Sequence, residues 1–177
     1  METIPSRYRQ WRLADYPEAA AREIRRFFDD PAVWCCYIHG GPGTKKSSLA
    51  AASLVNFRAK YGRTAGHFVT MPEFISICRR VSDNRVKVAE WQESPLLVLD
   101  DLGSHRATPH VVESILLLLS RRYEESLKTM ITTNLSPDDL GKAFDARIAS
   151  RLADGIKIDV GESDAREQAE MQRALYD

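Results

Sequence analysis

The stretch GGPGTKKS, residues 40–47, has the spacing of a phosphate-binding loop, G-x-x-x-x-G-K-[ST], with one departure. Gly40 and Ser47 fix the register of the match. Lys46 then takes the position of the lysine that contacts phosphate, and Ser47 takes that of the hydroxyl that binds Mg²⁺. Lys45 stands where the pattern has its last glycine.

A loop of this kind binds phosphate through backbone N–H groups and the positive end of a helix dipole. An apolar strand precedes this loop and an alanine-rich helix follows it, which is the required context. The other register, with Lys45 as the phosphate lysine, is a poorer match because it puts His39 and Thr44 where glycines belong. The candidate nucleotide-binding residues are Gly40, Gly41, Pro42, Gly43, Thr44, Lys45, Lys46, Ser47 and Ser48.

Lys45 changes what the loop is expected to do. A Cβ at this position costs about 1–3 kcal/mol if the backbone needs angles that only glycine adopts without strain. The side chain also crowds the phosphates, although its charge offsets part of this if it reaches them. We therefore expect weaker nucleotide binding than with glycine. The alternative is a glycine-rich turn with no ligand.

The segment SPLLVLDDLG is an apolar strand that ends in two aspartates, about 50 residues after the loop. A carboxylate at a strand end holds Mg²⁺ in many nucleotide sites, and Asp100 suits this role. Asp101 is then placed to orient or deprotonate an attacking water. The alternative is an exposed turn that carries aspartates.

Two further polar features follow. TMITTNLS is a strand ending in Asn134, whose amide is a candidate sensor of the γ-phosphate; the alternative is an Asx turn before Ser136-Pro137. In FDARIASRLADG, Arg147 and Arg151 share one helix face. They are candidates for an arginine finger toward a neighbouring subunit, or for a solvated face paired with nearby aspartates.

The composition is that of an ordinary soluble globular domain. The chain has 177 residues, of which 44% are hydrophobic, and 25 basic residues balance 25 acidic ones. This balance argues against a strongly electrostatic nucleic-acid binder, although local patches remain open. No apolar run approaches the ~20 residues of a membrane span, and no signal-peptide core stands at the start. We expect a cytoplasmic protein with no membrane contact.

Short apolar runs alternate with longer helical stretches, which predicts a parallel sheet with helices on both faces. An apolar run around residues 109–127 predicts a helix buried between layers. Predicted strands are Val33–His39, His67–Met71, Leu96–Asp100, Met130–Thr133 and Ile156–Val160. Predicted helices are Tyr16–Phe28, Ser47–Tyr61, Pro72–Trp91, Pro109–Leu127 and a pair over Pro137–Asp154.

Taken together, the motifs GGPGTKKSSLAAA, LLVLDDLG, ITTNLSPDDL and ARIASRLADG resemble those of the AAA+ ATPases. More narrowly, the chain resembles the DnaC/DnaI/IstB group of replicative helicase loaders and transposition helper ATPases. The resemblance covers about residues 8 to 162. It implies a three-layer α/β/α P-loop NTPase core with a five-stranded parallel sheet in the order 5-1-4-3-2.

The resemblance also implies roles and partners. Lys46 and Ser47 match Walker A, Asp100 and Asp101 match Walker B, and Asn134 matches sensor 1. Arg151 matches the arginine finger, with Arg147 as the second candidate. ATP and Mg²⁺ are the implied cofactors. Single-stranded DNA, a replicative helicase or transposase, and further copies of the chain in a homo-oligomer are the implied partners.

Three departures from the group stand out. Lys45 replaces the Walker A glycine, and we expect no extra domain before Tyr8 and no helical lid after Val160. We expect an AAA+ core over residues 1–162 and a polar helical tail over residues 163–177.

The predicted helix between the second and third strands is basic on one side. Such a helix can face the channel of a DNA-loading AAA+ assembly and contact phosphates without sequence preference. The alternative is an amphipathic helix with a solvated charged face. The candidate DNA-binding residues are Arg79, Arg80, Arg85 and Lys87.

The leading hypothesis is an ATPase that couples ATP·Mg²⁺ binding and hydrolysis to oligomerisation and to binding of DNA or a partner. The first alternative is a non-catalytic scaffold whose nucleotide site Lys45 impairs. A small-molecule kinase is a weaker alternative, since no arginine-rich lid or acceptor-binding segment is evident.

Overall fold

A computed structural model describes residues 4–79, 81–103 and 108–161, without the side chains of residues 81–85 and of Pro137. Its centre is a sheet of five parallel strands in the order β2-β3-β4-β1-β5. Listed from the other edge, this is the expected order 5-1-4-3-2. The strands are β1 (Cys35–His39), β2 (His67–Thr70), β3 (Leu96–Leu102), β4 (Lys128–Thr133) and β5 (Ile156–Asp159).

Helices cover both faces of the sheet. Thr108 and Ser136 cap their helices from the position before a proline. Two single-turn 3₁₀ helices, Ser6–Tyr8 and Leu13–Asp15, precede the first α-helix. The α-helices are α1 (Glu18–Asp29), α2 (Lys46–Tyr61), α3 (Met71–Cys78), α4 (Val81–Glu93), α5 (Pro109–Glu124), α6 (Pro137–Ala143) and α7 (Ala146–Ala153).

The core lies in two layers, one on each face of the sheet. Successive strand residues point to opposite faces, so Cys35 and Cys36 belong to different layers. Helices α1 and α2 close one layer, and α3 to α7 close the other. The three-layer α/β/α architecture is therefore confirmed.

The predicted helix Pro72–Trp91 is wrong as a single element. It consists of α3, which ends at Cys78, and α4, which begins at Val81. The rings of Phe74 and Trp91 lie 5.9 Å apart. A straight helix would hold residues at this spacing about 25 Å apart. The chain breaks the helix so that both rings enter one core layer.

The prediction for α5 is also wrong in part. Its inner face is buried through residues such as Ile115 and Leu119, but Leu117 is 62% exposed. The helix covers one face of the sheet and has solvent on its other side. Among the described residues, no helix has the length and apolar character that crossing a bilayer requires.

Candidate nucleotide-binding site

The loop between β1 and α2 is packed tightly at its first glycine. Gly40 has φ +147°, and a Cβ built on it would lie 2.5 Å from the carbonyl oxygen of Gly161. The Gly41 N–H donates to the same oxygen at 2.9 Å. Thr44 Oγ1 donates to the Gly41 carbonyl at 2.8 Å, which closes the turn. Gly161, just after β5, and the loop itself therefore fix the shape of this segment.

Lys45 adopts the left-handed conformation, with φ 62° and ψ 24°. A glycine takes these angles freely, whereas another L-residue loses about 1–2 kcal/mol there. The side chain is exposed, and its Nζ lies 5.0 Å from the ring centroid of Trp11. A cation–π contact at an exposed position contributes about 0.5–1 kcal/mol. Lys45 therefore keeps the loop in the conformation of a glycine, at a net cost that this contact reduces.

Lys46 begins α2 and directs its ammonium back over the loop. Its Nζ donates to the carbonyl oxygens of Gly40 at 2.9 Å and Gly41 at 2.5 Å, and lies 3.2 Å from Thr44 Oγ1. The residue is only 7% exposed. Burial lowers the pKa of Lys46, while the charges of two nearby aspartates raise it in part.

Asp100 is the buried carboxylate of the site, at 4% exposure. It accepts hydrogen bonds from the hydroxyls of Thr132, at 2.7 Å, and of Ser47. Burial raises the pKa of Asp100, and these two hydrogen bonds lower it in part. Ser47 and Asp100, which the sequence predicts as magnesium ligands, are therefore in contact.

Asp101 follows with a left-handed backbone, φ 67°. Its N–H donates to Thr132 Oγ1 at 2.9 Å, so one threonine holds both aspartates. β4 pairs with β3 on each side of this point, and the register shifts between Leu99 and Leu102. The irregularity lets Asp101 turn at a position that regular pairing would keep extended.

These residues suit a magnesium-bound nucleotide. The first turn of α2 begins without a side-chain cap, so its amides remain as donors for phosphate oxygens. An ammonium, a hydroxyl and a carboxylate converge beside these amides on Lys46, Ser47 and Asp100. The hydroxyl and carboxylate are oxygen ligands of the kind Mg²⁺ prefers.

Asn134 lies just beyond the end of β4, and β4 is the neighbour of β3, which carries Asp100 and Asp101. Asn134 is exposed. Thr133 Oγ1 donates to the Leu102 carbonyl at 2.5 Å, and the Tyr37 hydroxyl donates to the Leu135 carbonyl at 2.9 Å. Both neighbours of Asn134 are thus anchored, which places this residue at the carboxyl edge of the sheet.

Arg147 and Arg151 share one side of α7 but differ in their contacts. Arg147 forms a two-pronged pair with Asp145, with Nε–Oδ1 at 3.0 Å and Nη2–Oδ2 at 2.9 Å. This pairing and the Arg147 N–H lower the pKa of Asp145 to about 2. Arg151 Nη1 donates one hydrogen bond, to the Arg147 carbonyl at 3.3 Å, and the Arg151 guanidinium lies 5.9 Å from the Tyr123 ring centroid. Within the described residues, Arg151 is the less engaged of the two.

The candidate DNA-binding residues lie partly outside the described residues, namely Arg80 and the side chain of Arg85. Arg79 is exposed at the end of α3. Lys87 pairs with Glu73 at 3.0 Å, and its Nζ lies 5.6 Å from the Trp91 ring centroid. The structure describes two of these four side chains in full. Arg79 is exposed, whereas Lys87 is engaged with Glu73 and Trp91.

Two features of the site were not predicted from the sequence. The role of Thr132 was not foreseen, although a threonine pair at a strand end is a visible signal for bonding to a neighbouring carboxylate. The contact between Trp11 and Lys45 has no local signal because 34 positions separate the two residues. The expected polar tail, residues 163–177, lies outside the described residues.

Comparisons with known proteins place this geometry in a wider group. No protein-family model matches the chain. The replicative helicase loader DnaI of Bacillus subtilis (strain 168) is 27% identical over 112 residues, which are 61% of this chain and 35% of DnaI. The chain therefore corresponds to about a third of that relative.

Solved structures agree over most of the chain. The crystal structure of the DnaC helicase loader matches with a TM-score of 0.79 and 27% identity, over 88% of this chain and 99% of that one. The replication initiator DnaA, bound to AMPPCP and single-stranded DNA, matches with a TM-score of 0.75 over 89% of this chain and 51% of that one. At 17% identity, the DnaA likeness shows the fold alone. In fold and in sequence, the chain is similar to the DnaC/DnaI-like group of AAA+ proteins.

Proposed function

We propose that the chain binds ATP with Mg²⁺ at the loop between β1 and α2. The observation that carries this proposal is the convergence of Lys46, Ser47 and Asp100 beside the uncapped start of α2. Lys46 contacts the outer phosphates in this proposal, and Ser47 and Asp100 hold the metal. The bound Mg²⁺ supplies charge neutralisation between the outer phosphates.

The proposal includes slow hydrolysis of ATP. Asp101 orients a water and accepts its proton, and Asn134 contacts the γ-phosphate from the next strand. Arg151 acts in the site of a neighbouring copy, because Arg147 is held by Asp145 in this chain. The nucleotide site of a monomer receives no arginine from a neighbouring copy, so the rate of ATP hydrolysis rises when the chain assembles.

We further propose that ATP binding controls assembly and contact with single-stranded DNA or a replicative helicase. A transposase is a second partner class in the same proposal. DnaC and DnaI are described as helicase loaders, and the DnaA structure holds both a nucleotide analogue and single-stranded DNA. The proposed DNA contact on this chain is Arg79, with Arg80 beside it.

The site is tested by ATP·Mg²⁺ binding and by the ATPase rate with single-stranded DNA present. The native chain binds in a saturable way, Lys46→Ala does not, and Lys45→Gly binds more tightly than the native chain. If the native chain matches Lys46→Ala while Lys45→Gly binds and hydrolyses, the domain is a scaffold rather than an ATPase. If Lys45→Gly also fails to bind, the site assignment is wrong.

The DNA contact needs a separate test. Replacing Arg79 and Arg80 by glutamate weakens binding to single-stranded DNA and lowers its salt dependence, because fewer phosphates are neutralised. Arg79→Glu alone is compared with Arg63→Glu, which makes the same change of charge at an exposed arginine after α2. Equal weakening by these two single substitutions contradicts a local contact at the end of α3.

A further inference from the structure

An N-terminal segment lies against the phosphate loop. Trp11 stands between the two 3₁₀ helices and is partly buried, and its ring centroid lies 6.0 Å from that of Tyr16. The ammonium of Lys45 sits over the Trp11 ring, 5.0 Å from its centroid. A residue far away in sequence thus contacts the one loop position that departs from the phosphate-binding pattern.

The two adjacent lysines place their ammonium groups differently. Lys46 directs its Nζ onto the Gly40 and Gly41 carbonyls, inside the loop. Lys45 directs its Nζ onto Trp11, so its charge is held at the aromatic ring. The positive φ of Lys45 leaves the backbone in the conformation of a glycine. The side chain of Lys45, and not its backbone, is therefore the part of the residue that can obstruct a bound phosphate.

We propose that Trp11 is a positioning residue. It keeps the Lys45 side chain out of the space in which the loop between β1 and α2 would hold phosphate. The loop then accepts phosphate although a lysine replaces the glycine. The inference rests on the proposed nucleotide binding, and it gives Trp11 a role that acts through Lys45 rather than through the nucleotide. This distinction is measurable, since a role through Lys45 disappears when Lys45 is replaced by glycine.

A double-mutant cycle tests the proposal by titrating ATP·Mg²⁺ into four proteins: the native chain, Trp11→Leu, Lys45→Gly and the double variant. We expect Trp11→Leu to weaken binding about three- to fivefold in the native background, the size of a cation–π contact. In the Lys45→Gly background the same substitution has less than about a twofold effect. Trp11→Phe retains an aromatic face and restores part of the affinity.

A matched control lies at the other end of α2. Lys60 Nζ is 5.1 Å from the Tyr61 ring centroid, a similar pair that is remote from the loop. Tyr61→Leu leaves ATP affinity unchanged, although it also removes a cation–π contact. A second observable is the NMR signal of the Lys45 ε-methylene, which the Trp11 ring shifts upfield and which returns to its usual position in Trp11→Leu.

Each outcome has a defined meaning. Equal weakening in both backgrounds overturns the proposal, because Trp11 then acts on the nucleotide or on the fold. No weakening in the native background, or an unshifted Lys45 signal, also overturns it. If the native chain binds ATP and Trp11→Leu binds equally well, only the role of Trp11 fails. If none of the four proteins binds ATP, the proposed function fails and the role of Trp11 fails with it.

Discussion

The chain buries a cation at each end of its central sheet, and the two sites are built differently. Arg122, fully buried near the start of β4, donates Nε–H to Thr129 Oγ1 at 2.8 Å. Its other nitrogens donate to the carbonyl oxygens of Trp91, Ser94 and Lys128, at 2.6–2.9 Å. Lys46, at the carboxyl end, donates to two loop carbonyls that border the proposed ligand site.

The difference lies in what each cation is bonded to. Arg122 lies on α5 and is held by backbone oxygens of two other segments, the end of α4 and the start of β4, so it joins these three elements. Burial lowers the pKa of Arg122 to about 9, a sign of how completely it is removed from water. Among the described residues, Lys46 Nζ bonds only within its own loop, and a phosphate can replace those partners. One cation stabilises the fold, and the other is available for a ligand.

The largest effect we predict is on stability. Arg122→Met leaves several buried carbonyl oxygens without donors and lowers the free energy of unfolding by about 3–5 kcal/mol. Urea denaturation measures this loss. Arg121→Met is the control, because its pair with Glu125 is half exposed and contributes no more than about 1 kcal/mol. A change below that value for Arg122→Met contradicts a structural role for this arginine.

The second prediction concerns Lys46, for which we expect a large effect on ATP affinity and a small effect on stability. Lys46→Met removes a charge-assisted contact to phosphate and weakens ATP affinity on the order of 100-fold, while stability changes by less than about 1 kcal/mol. Calorimetric titration and urea denaturation of the same variant give both values. If Lys46→Met unfolds the chain as Arg122→Met does, the contrast between the two cations is wrong.

A third prediction concerns Asp100, whose pKa burial raises above its usual value. A carboxyl with a raised folded-state pKa stabilises the fold only while protonated, so stability is lost as pH rises through that pKa. Asp100→Asn removes this loss and raises stability at neutral pH by on the order of 1 kcal/mol. It also removes Mg²⁺-dependent ATP binding.

Unfolding of the native chain and of Asp100→Asn between pH 4 and pH 8 measures this effect. The stability difference in favour of the variant grows with pH. A difference that is constant with pH means that ionisation of Asp100 carries no cost in the fold.

The smallest effect is the relief of strain at Lys45. Lys45→Gly raises stability by about 1 kcal/mol, because glycine adopts the left-handed angles freely, and it raises ATP affinity severalfold. Ser126→Gly is the matched control, since Ser126 has φ 52° in the turn before β4, remote from the loop. It raises stability in the same way without a change in affinity. Equal affinity gains in both variants contradict a local effect of Lys45.

The sequence predicted the parts of the molecule that are governed by local pattern. The order of the strands and helices and the loop register follow from residue type and spacing, so the sequence predicts that Ser47 and Asp100 lie close together, and the structure brings their side chains into contact. The break between α3 and α4 was missed, because the ring contact between Phe74 and Trp91 that favours it is a tertiary one. Arg122 was missed for the same reason: apart from the Thr129 hydroxyl, its partners are backbone oxygens, which leave no mark in the sequence.

The most direct test of the account is calorimetric titration of ATP·Mg²⁺ into the native chain and into Lys46→Ala. The central claim is that the loop still binds phosphate with a lysine in the glycine position. It predicts saturable binding by the native chain, dependent on Mg²⁺, and loss of that binding in Lys46→Ala. Identical titrations for the two proteins, with both folded, would contradict it.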